Sequence, residues 1–380
     1  PRAKAALLKA VQYNPRNIRA RLVLAQVYLS ERSGDLALEQ VNAVLAQDPK
    51  NYRAQFLKGG GYVLKNDMKN ARDAYEKAAE IKPNDPAPYF QLANLERSQR
   101  NYDKAMSYLD KAIELKPDFV MAIAAKVAVY AAQKKPEEAL AYLKRTISNN
   151  QNNDKLVALL QELRGATLMS QQDYVESEAA FKKAVELNPD LVAPYLSLAR
   201  LYQITKKTDK AIGQYQAILD KQPKFIQGYM ALGAIYEAEG RSTQARTMYE
   251  KALEINPDFA PAANNLAWVL LHENENPDRA LELARKAKKQ LPDDPNVADT
   301  LGLALIAKGF YESALSELSM AAEKLPEQPT VLYHLGLAHW KNGEKEKALE
   351  VLNKAVKTDL EFPERKQAQQ LLEEIRTERT

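Results

Sequence analysis

Residues 68–83 read MKNARDAYEKAAEIKP, and residues 102–117 read YDKAMSYLDKAIELKP, the same pattern 34 positions later. In both segments apolar residues recur at helical spacing, and a proline closes the run. Proline ends a helix because it lacks an N–H and restricts the residue before it. The two segments therefore predict amphipathic helices in equivalent places of a repeating unit.

The prolines carry this period along most of the chain. Two amphipathic stretches of about 13 residues lie between successive prolines, separated by a short polar turn. Each unit is thus predicted to be a helical hairpin, and ten units fit the chain. The unit-ending prolines are Pro15, Pro49, Pro83, Pro117, Pro189, Pro223, Pro257, Pro292 and Pro326.

Small residues recur at fixed places inside the unit. The twentieth position is alanine in nine of the ten copies. Small side chains let neighbouring helices approach closely, and enlarging one is expected to destabilise the fold by ~1–3 kcal/mol. The eighth position holds Ala25, Gly59, Ala93, Val127, Gly165, Ala199, Gly233, Ala267, Gly302 and Gly336.

The order of small residue, aromatic residue, alanine, aromatic residue, alanine and proline resembles the tetratricopeptide repeat over residues 18–360. The resemblance implies an all-α fold, a right-handed α-solenoid superhelix of ten helical hairpins. Two departures stand out. The family's usual tryptophan near the start of the first helix is missing, and Lys58, Lys126 and Arg164 replace a usual leucine.

The register also predicts how the chain is divided. A polar stretch after Ser148 breaks the pattern, and we expect either a hinge there or a longer loop with no mechanical role. The N-terminus matches only half a repeat, so we expect the array to continue upstream in a longer protein. The predicted segments are 1–17, the second helix of a truncated repeat; 18–153, repeats 1–4; 154–157, an irregular insertion or hinge; 158–360, repeats 5–10; and 361–380, a C-terminal capping helix.

The composition excludes most catalytic chemistry. The chain has no cysteine and only three histidines, His272, His334 and His339. Because His334 and His339 are five residues apart on one helix, they cannot share a metal as an i, i+4 pair would. The glycine run at residues 59–61 lies inside a helix and lacks the ending of a phosphate loop. We therefore predict no enzyme activity, no cofactor and no metal site.

Charge and hydropathy restrict the partners. Lys plus Arg number 54 and Asp plus Glu 50, so the net charge is +4. This balance argues against nucleic acid as a partner, and no apolar run is long enough for direct membrane insertion. Self-association stays open, and so does the compartment.

The resemblance also implies where a partner binds. In this family ligands contact the concave groove at the second, fifth, ninth, twelfth and thirteenth positions of the unit. The only two tryptophans fall on such positions, as anchors for a partner or, alternatively, as fillers between neighbouring first helices. The candidate groove residues are Phe90, Asn94, Arg97, Arg200, Gln203, Asn264, Trp268, Leu271, Leu303, Ile306, Tyr333, Leu337 and Trp340.

The leading hypothesis is a non-catalytic scaffold that binds a partner helix or peptide in this groove. Phrases such as VLYHLGLAHW at residues 331–340 are similar to large bacterial tetratricopeptide proteins of exopolysaccharide or surface-protein export, which implies a periplasmic or outer-membrane-associated location. An alternative is a regulatory or substrate-recruiting arm of an enzyme whose catalytic domain lies outside this segment. Nucleic-acid binding by helical repeats is a third possibility, and the mixed charge argues against it.

Overall fold

The computed structural model describes residues 2–378, and within this range it contains 22 α-helices and no β-strand. The prediction of an all-α array of ten helical hairpins is confirmed. Pro1, Arg379 and Thr380, which the sequence assigned to the first and last predicted segments, lie outside the described residues. The helices are α1 (Arg2–Tyr13), α2 (Ile18–Ser30), α3 (Gly34–Leu45), α4 (Tyr52–Leu64), α5 (Met68–Ile81), α6 (Pro86–Ser98), α7 (Tyr102–Leu115), α8 (Val120–Ala132), α9 (Pro136–Ser148), α10 (Asp154–Ser170), α11 (Tyr174–Leu187), α12 (Val192–Ile204), α13 (Thr208–Lys221), α14 (Ile226–Ala238), α15 (Ser242–Ile255), α16 (Ala260–His272), α17 (Pro277–Gln290), α18 (Pro295–Ala307), α19 (Tyr311–Lys324), α20 (Pro329–Lys341), α21 (Lys345–Lys357) and α22 (Arg365–Thr377).

The helices form two compact units, the first ending at Ser197 and the second beginning at Leu198, inside α12. The first unit contains the five hairpins from α2/α3 to α10/α11, preceded by α1. The second contains the four hairpins from α14/α15 to α20/α21, preceded by α13 and followed by α22. Within each unit a helix packs against the next one along the chain, so each hairpin buries apolar surface on its neighbours.

Each of the ten hairpins turns through a residue in the left-handed conformation, and the hairpin α16/α17 has a second one at Asn276. After the first such residue in each hairpin, the N–H of the next residue donates to a carbonyl five residues earlier, as from Asp67 to Tyr62 at 2.9 Å. This bond satisfies a carbonyl that the end of the first helix would leave unpaired. The first left-handed residues of the ten turns are Arg32, Asn66, Arg100, Lys134, Gln172, Lys206, Gly240, Asn274, Gly309 and Gly343.

Glycine at the eighth position makes room for a bulky residue of the second helix. A Cβ atom on Gly165 would lie 2.6 Å from the Phe181 ring, which is fully buried. The ring of Tyr75 occupies the space beside Gly59 in the same way, and the side chain of Leu38 occupies the space beside Gly61. The glycine run at residues 59–61 therefore serves packing inside the array.

Residues 154–157 are the first turn of α10 rather than an irregular insertion. Asn153 caps this helix, because its side chain accepts a hydrogen bond from the Leu156 N–H at 3.1 Å. The residues added after Ser148 thus lengthen the first helix of the fifth hairpin to 17 residues. Asparagine and aspartate are common both in loops and at the starts of helices, where they cap the first turn. The polar composition alone therefore suggested a loop.

The last helix, α22, covers the exposed side of the tenth hairpin. Its apolar residues Leu371, Leu372 and Ile375 are buried in one cluster with Leu352 of α21. Charged residues occupy the opposite face, in agreement with the capping role expected of the end of an array.

Candidate functional site

A polar cavity of about 280 Å³ opens on the first helices of the second unit. It lies where α16, α18 and α20 face α14. Amides, hydroxyls and carboxylates form most of its wall, and one indole and one valine complete it. The lining residues are Glu237, Asn264, Asn265, Trp268, Asn296, Asp299, Thr300, Gln328, Thr330 and Val331.

Trp268 forms the aromatic wall of this cavity. Its ring centroid is 4.0 Å from that of His272 on the same helix, and 5.8 Å from that of His334 on α20. The side chain is half-buried, so one part of the indole stays open to a ligand. Two imidazoles thus fix the orientation of this indole.

A buried histidine–aspartate pair lies behind Trp268. His334 and Asp299 are 1% and 5% exposed, and His334 Nδ1 donates to both carboxylate oxygens at 2.9 and 3.0 Å. The pair joins α18 to α20. Removing one partner should strongly destabilise the fold, because the other group would stay buried without a partner.

Glu364, in the segment before α22, is bonded to Thr330 of the cavity wall. Its carboxylate accepts hydrogen bonds from His272 Nε2 at 3.2 Å and from the Thr330 hydroxyl at 3.3 Å. His272 Nδ1 lies 3.1 Å from the Trp268 carbonyl oxygen. Both neighbours of the imidazole are acceptors, so this geometry suits the protonated ring, which donates from both nitrogens.

The pKa values of this pair shift in the directions that favour the charged forms. Burial alone would lower the pKa of His272, but the bonds to Glu364 and the Trp268 carbonyl and the charges of Glu364 and Glu237 outweigh it and raise that pKa. Burial alone would raise the pKa of Glu364, yet the hydrogen bond from His272 and the charge of His334 hold it below its usual range. The two groups therefore stabilise each other as an ion pair.

Glu237 and Asn264 supply further acceptors on the cavity wall. Burial raises the pKa of Glu237, partly opposed by the hydrogen bond that the Tyr249 hydroxyl donates to it at 2.8 Å. Asn264 donates to Asn265 at 3.3 Å, but its own buried side-chain oxygen has no hydrogen-bond partner. A buried acceptor without a donor is unusual in a folded protein.

The first unit has a larger and more apolar cavity of about 630 Å³. It lies between α8, α10 and the turn that leads to α9. Five alanines belong to its wall, and four of its twelve lining residues are polar. The lining residues are Ala124, Val127, Ala128, Ala131, Lys134, Pro136, Ala139, Leu163, Ala166, Thr167, Ser170 and Gln171.

Two of the sequence-predicted groove residues, Asn264 and Trp268, line the polar cavity. Phe90 packs against Phe119 of the next hairpin, with ring centroids 5.1 Å apart. Asn94, Leu271, Leu303 and Ile306 are half-buried on their first helices, and Arg97, Arg200 and Gln203 are exposed.

Trp340 lies in a different environment from Trp268. It packs with Tyr333 and Leu337 against the apolar cluster formed by α21 and α22. The groove positions of the last hairpin are therefore used for contact with the chain's own C-terminal helix. Trp268 therefore lines a cavity, whereas Trp340 fills the space between helices.

Several cavity residues were missed from the sequence although the repeat register could have found them. Asn296 and Thr330 occupy the second position and Glu237 the twelfth, which are among the positions that the resemblance implied. Four of the five alanines in the first unit's cavity fall on the fifth, ninth and twelfth positions as well. They lack an aromatic or charged group, and this absence of a chemical signal explains why they were not selected.

Histidine, aspartate and glutamate do not form a metal-binding cluster among residues 2–378. None of the 22 described helices has the length and hydropathy needed to cross a membrane. His339 is engaged with Glu344 at 2.9 Å, so each of the three histidines has a carboxylate partner.

Models of the tetratricopeptide repeat match most of the chain. One matches residues 96–163, 168–235 and 236–303, and a second matches residues 1–51, 32–86 and 300–360. Among curated proteins, the chain is similar to the human protein O-mannosyl-transferase TMTC3, with 26% identity over 215 residues. The match covers 55% of this chain and 23% of that protein, so the chain spans about a quarter of its relative's length.

Solved structures of similar chains include three repeat proteins. YrrB, described as a TPR protein with an unusual peptide-binding site, is 26% identical, with 52% of this chain and 99% of that chain covered and a TM-score of 0.42. A tetratricopeptide repeat protein from Parabacteroides merdae is 17% identical, with coverage of 68% and 99% and a TM-score of 0.46. The Cut9–Hcn1 complex of APC/C gives 13% identity, coverage of 98% and 86%, and a TM-score of 0.47.

Proposed function

Because the chain belongs to the tetratricopeptide repeat family, whose members are scaffolds for protein–protein interaction, we propose that it binds a peptide segment on the faces of its first helices. One observation carries this proposal. In each unit an open cavity has residues at the fifth, ninth and twelfth positions of first helices in its lining, and the cavity of the first unit also includes Lys134, Pro136 and Ala139. The three shared positions support a binding surface that the repeat itself creates.

The two cavities differ in the ligand that suits them. The cavity of the first unit is lined by small apolar side chains, which suits one or two aliphatic side chains of a peptide. The cavity of the second unit is polar and carries Trp268, an anchor of the kind that dominates binding energy at interfaces. We therefore propose a partner with an apolar and a polar anchor.

A peptide-display selection against the whole chain tests the proposal. We expect Trp268→Ala to weaken the selected peptides by about thirtyfold or more, as truncation of an aromatic hot spot does. Trp340→Phe is the control, because it changes the other tryptophan and keeps an aromatic ring against the C-terminal helix. Equal affinities for both variants, or no selected peptide at all, would contradict peptide binding at Trp268.

A second pair of variants tests the first unit. Ala128→Leu places a larger side chain in the apolar cavity and should exclude the peptide's aliphatic group. Ala141→Leu adds the same atoms at an exposed position of α9, away from the cavity, and should leave affinity unchanged. If both variants bind alike, the cavity of the first unit is not part of the binding surface.

A second candidate function is the substrate-recruiting arm of an enzyme. One observation favours it, because the curated relative is named a transferase and the chain matches only 23% of it. In that case a catalytic domain outside this segment would carry the chemistry. Detection of the native protein by mass tests this candidate, since a protein close to the 42.7 kDa of this chain would exclude a further domain. The role in bacterial envelope export stays a prediction from sequence phrases alone.

A further inference from the structure

The polar cavity of the second unit has the size of one side chain. Its volume of about 280 Å³ lies just below the range of roughly 300–1,000 Å³ that is typical of small-molecule sites. Apart from Gln328, its residues come from four first helices, so a ligand there would touch all four. A single side chain of a bound peptide fits this space better than a cofactor does.

The charge around this cavity is negative. Glu237 and Asp299 line it, and Glu364 adjoins it through the bond from Thr330. No lysine or arginine is among the lining residues, although the chain carries 54 of them. Against these three carboxylates stand the imidazoles of His272 and His334, each bonded to one carboxylate.

The wall also has a hydrogen-bond acceptor with lone pairs that its own donor does not fill. Both oxygens of Asp299 share the single Nδ1–H of His334, which leaves further lone pairs on a carboxylate that lines the cavity. A ligand rich in N–H donors would satisfy these lone pairs, whereas another acceptor would be repelled.

Trp268 adds a surface for a flat cation. Its half-buried indole lies on the same wall as Asn264. The face of an indole attracts a guanidinium electrostatically, and a planar guanidinium can stack on it while its edge donates hydrogen bonds. An ammonium group has the same charge but neither the planar shape nor the fork of donors.

We propose that this cavity binds the guanidinium of an arginine side chain, stacked on Trp268 and donating to Asp299 and Glu237. The proposal rests on the peptide-binding function proposed above and names the residue that the second unit selects. It predicts that peptides chosen by the second unit share an arginine at one fixed position.

The titratable groups that face the cavity predict the sign of a pH effect. They are Glu237 on α14, Tyr249 on α15, His272 on α16, Asp299 on α18, Tyr333 and His334 on α20, and Glu364 before α22. Protonation of a carboxylate removes a negative charge, and protonation of a histidine adds a positive one. Affinity for a cation should therefore fall as the pH falls.

The test uses Nα-acetyl-arginine methylamide as the probe and the whole chain with Trp340→Phe, so that tryptophan fluorescence reports Trp268 alone. The citrulline analogue has the same shape without the charge, and the lysine analogue has the charge without the fork. We expect the citrulline analogue to bind at least about tenfold more weakly, the loss that follows from a hydrogen bond to a charged group. The lysine analogue should fall between the two.

Two variants test the residues. Glu237→Gln and Asp299→Asn keep the shape of the side chains and should each weaken the arginine probe by roughly tenfold. Asp293→Asn is the matched control, because that carboxylate is 94% exposed and lies outside the cavity. If Asp299→Asn fails to fold through loss of its bond to His334, the analogue series on the unaltered cavity and the Glu237→Gln variant still decide the question.

Equal binding of the arginine and citrulline probes would overturn the proposal, and so would unchanged affinity in Glu237→Gln. Failure of the proposed function looks different. If the arginine probe binds but no displayed peptide is selected, the cavity stands and peptide binding fails. If peptides are selected but replacing their arginines with citrulline changes nothing, peptide binding stands and the arginine assignment fails.

Discussion

Gly165→Ala tests whether the array depends on the space that glycine leaves at the eighth position. The new methyl group would lie 2.6 Å from the Phe181 ring, well inside van der Waals contact. Phe181 is fully buried, and its aromatic ring is rigid. The ring or α10 must therefore shift to admit one carbon atom.

Two opposing effects set the magnitude. Overpacking a well-packed core destabilises by ~1–3 kcal/mol. Replacing glycine with alanine inside a helix stabilises by about 0.8–1 kcal/mol. The steric effect should win, and we expect Gly165→Ala to lower the free energy of unfolding by roughly 1–2 kcal/mol.

The control is the same substitution where there is room. Gly213 lies inside α13, and a Cβ atom there would meet nothing within 4 Å. Gly213→Ala should therefore stabilise the protein by about 0.5–1 kcal/mol. The double variant Gly165→Ala/Phe181→Leu copies the pair Ala93 and Leu109 of the third hairpin and should recover much of the lost stability.

Urea denaturation followed by circular dichroism measures the stability, and hydrogen exchange of α10 and α11 shows whether the loss is local. Local exchange matters because repeat arrays do not always unfold in one step. A Gly165→Ala variant as stable as Gly213→Ala would refute the reasoning. So would a loss of stability that Phe181→Leu deepens instead of relieving.

Three further predictions concern the ends of helices and of the chain. The His272–Glu364 contact should be strongest between pH 4.5 and 6.5, the ordinary pKa values of the two groups. The raised pKa of His272 contributes stability that is lost as the pH rises through that pKa. The lowered pKa of Glu364 contributes stability that is lost as the pH falls through that pKa. Hydrogen exchange of residues 362–377 against pH measures this, and a flat profile would contradict it. Gly343→Ala should destabilise the protein by about 1 kcal/mol, because the φ of Gly343 is +80° and side chains disfavour that conformation. Arg100→Gly, at φ +61°, should be neutral or stabilising for the same reason. Urea midpoints measure both variants, and a lower midpoint for Arg100→Gly than for Gly343→Ala would contradict the argument. Trp340→Ala should lower the free energy of unfolding by about 3 kcal/mol and expose the amides of α22 to hydrogen exchange. Amide protection equal to that of the native chain would show that α22 does not depend on the indole.

Periodicity predicted the fold because the same pattern of prolines and small residues recurs in each repeat. The helix ends at Pro83 and Pro117 follow from proline chemistry, and small residues such as Ala71 and Gly233 mark the close contacts. The start of α10 at Asp154 was not visible in the same way. Capping by Asn153 is a local hydrogen bond, and the polar residues around it suit a loop equally well.

The candidate site was predictable only by position. The register identified Asn264 and Trp268 as groove residues, and both line the polar cavity. It could not identify Glu364, because the bond to His272 joins residues 92 apart and lies outside the repeat. Nor could it distinguish Trp268 from Trp340, since Trp340 is covered by α22, a helix that does not belong to the repeat pattern.

The pairing of glycine with a ring inside a hairpin has a consequence for how such a chain can change in length. Gly165 and Phe181 belong to the same hairpin, as do Gly59 and Tyr75 and also Gly233 and Tyr249. A gene duplication or deletion of one whole unit keeps both members of each pair together. Recombination in steps of a unit would therefore preserve internal fit, whereas an exchange in the middle of a hairpin would separate a cavity from the ring that fills it.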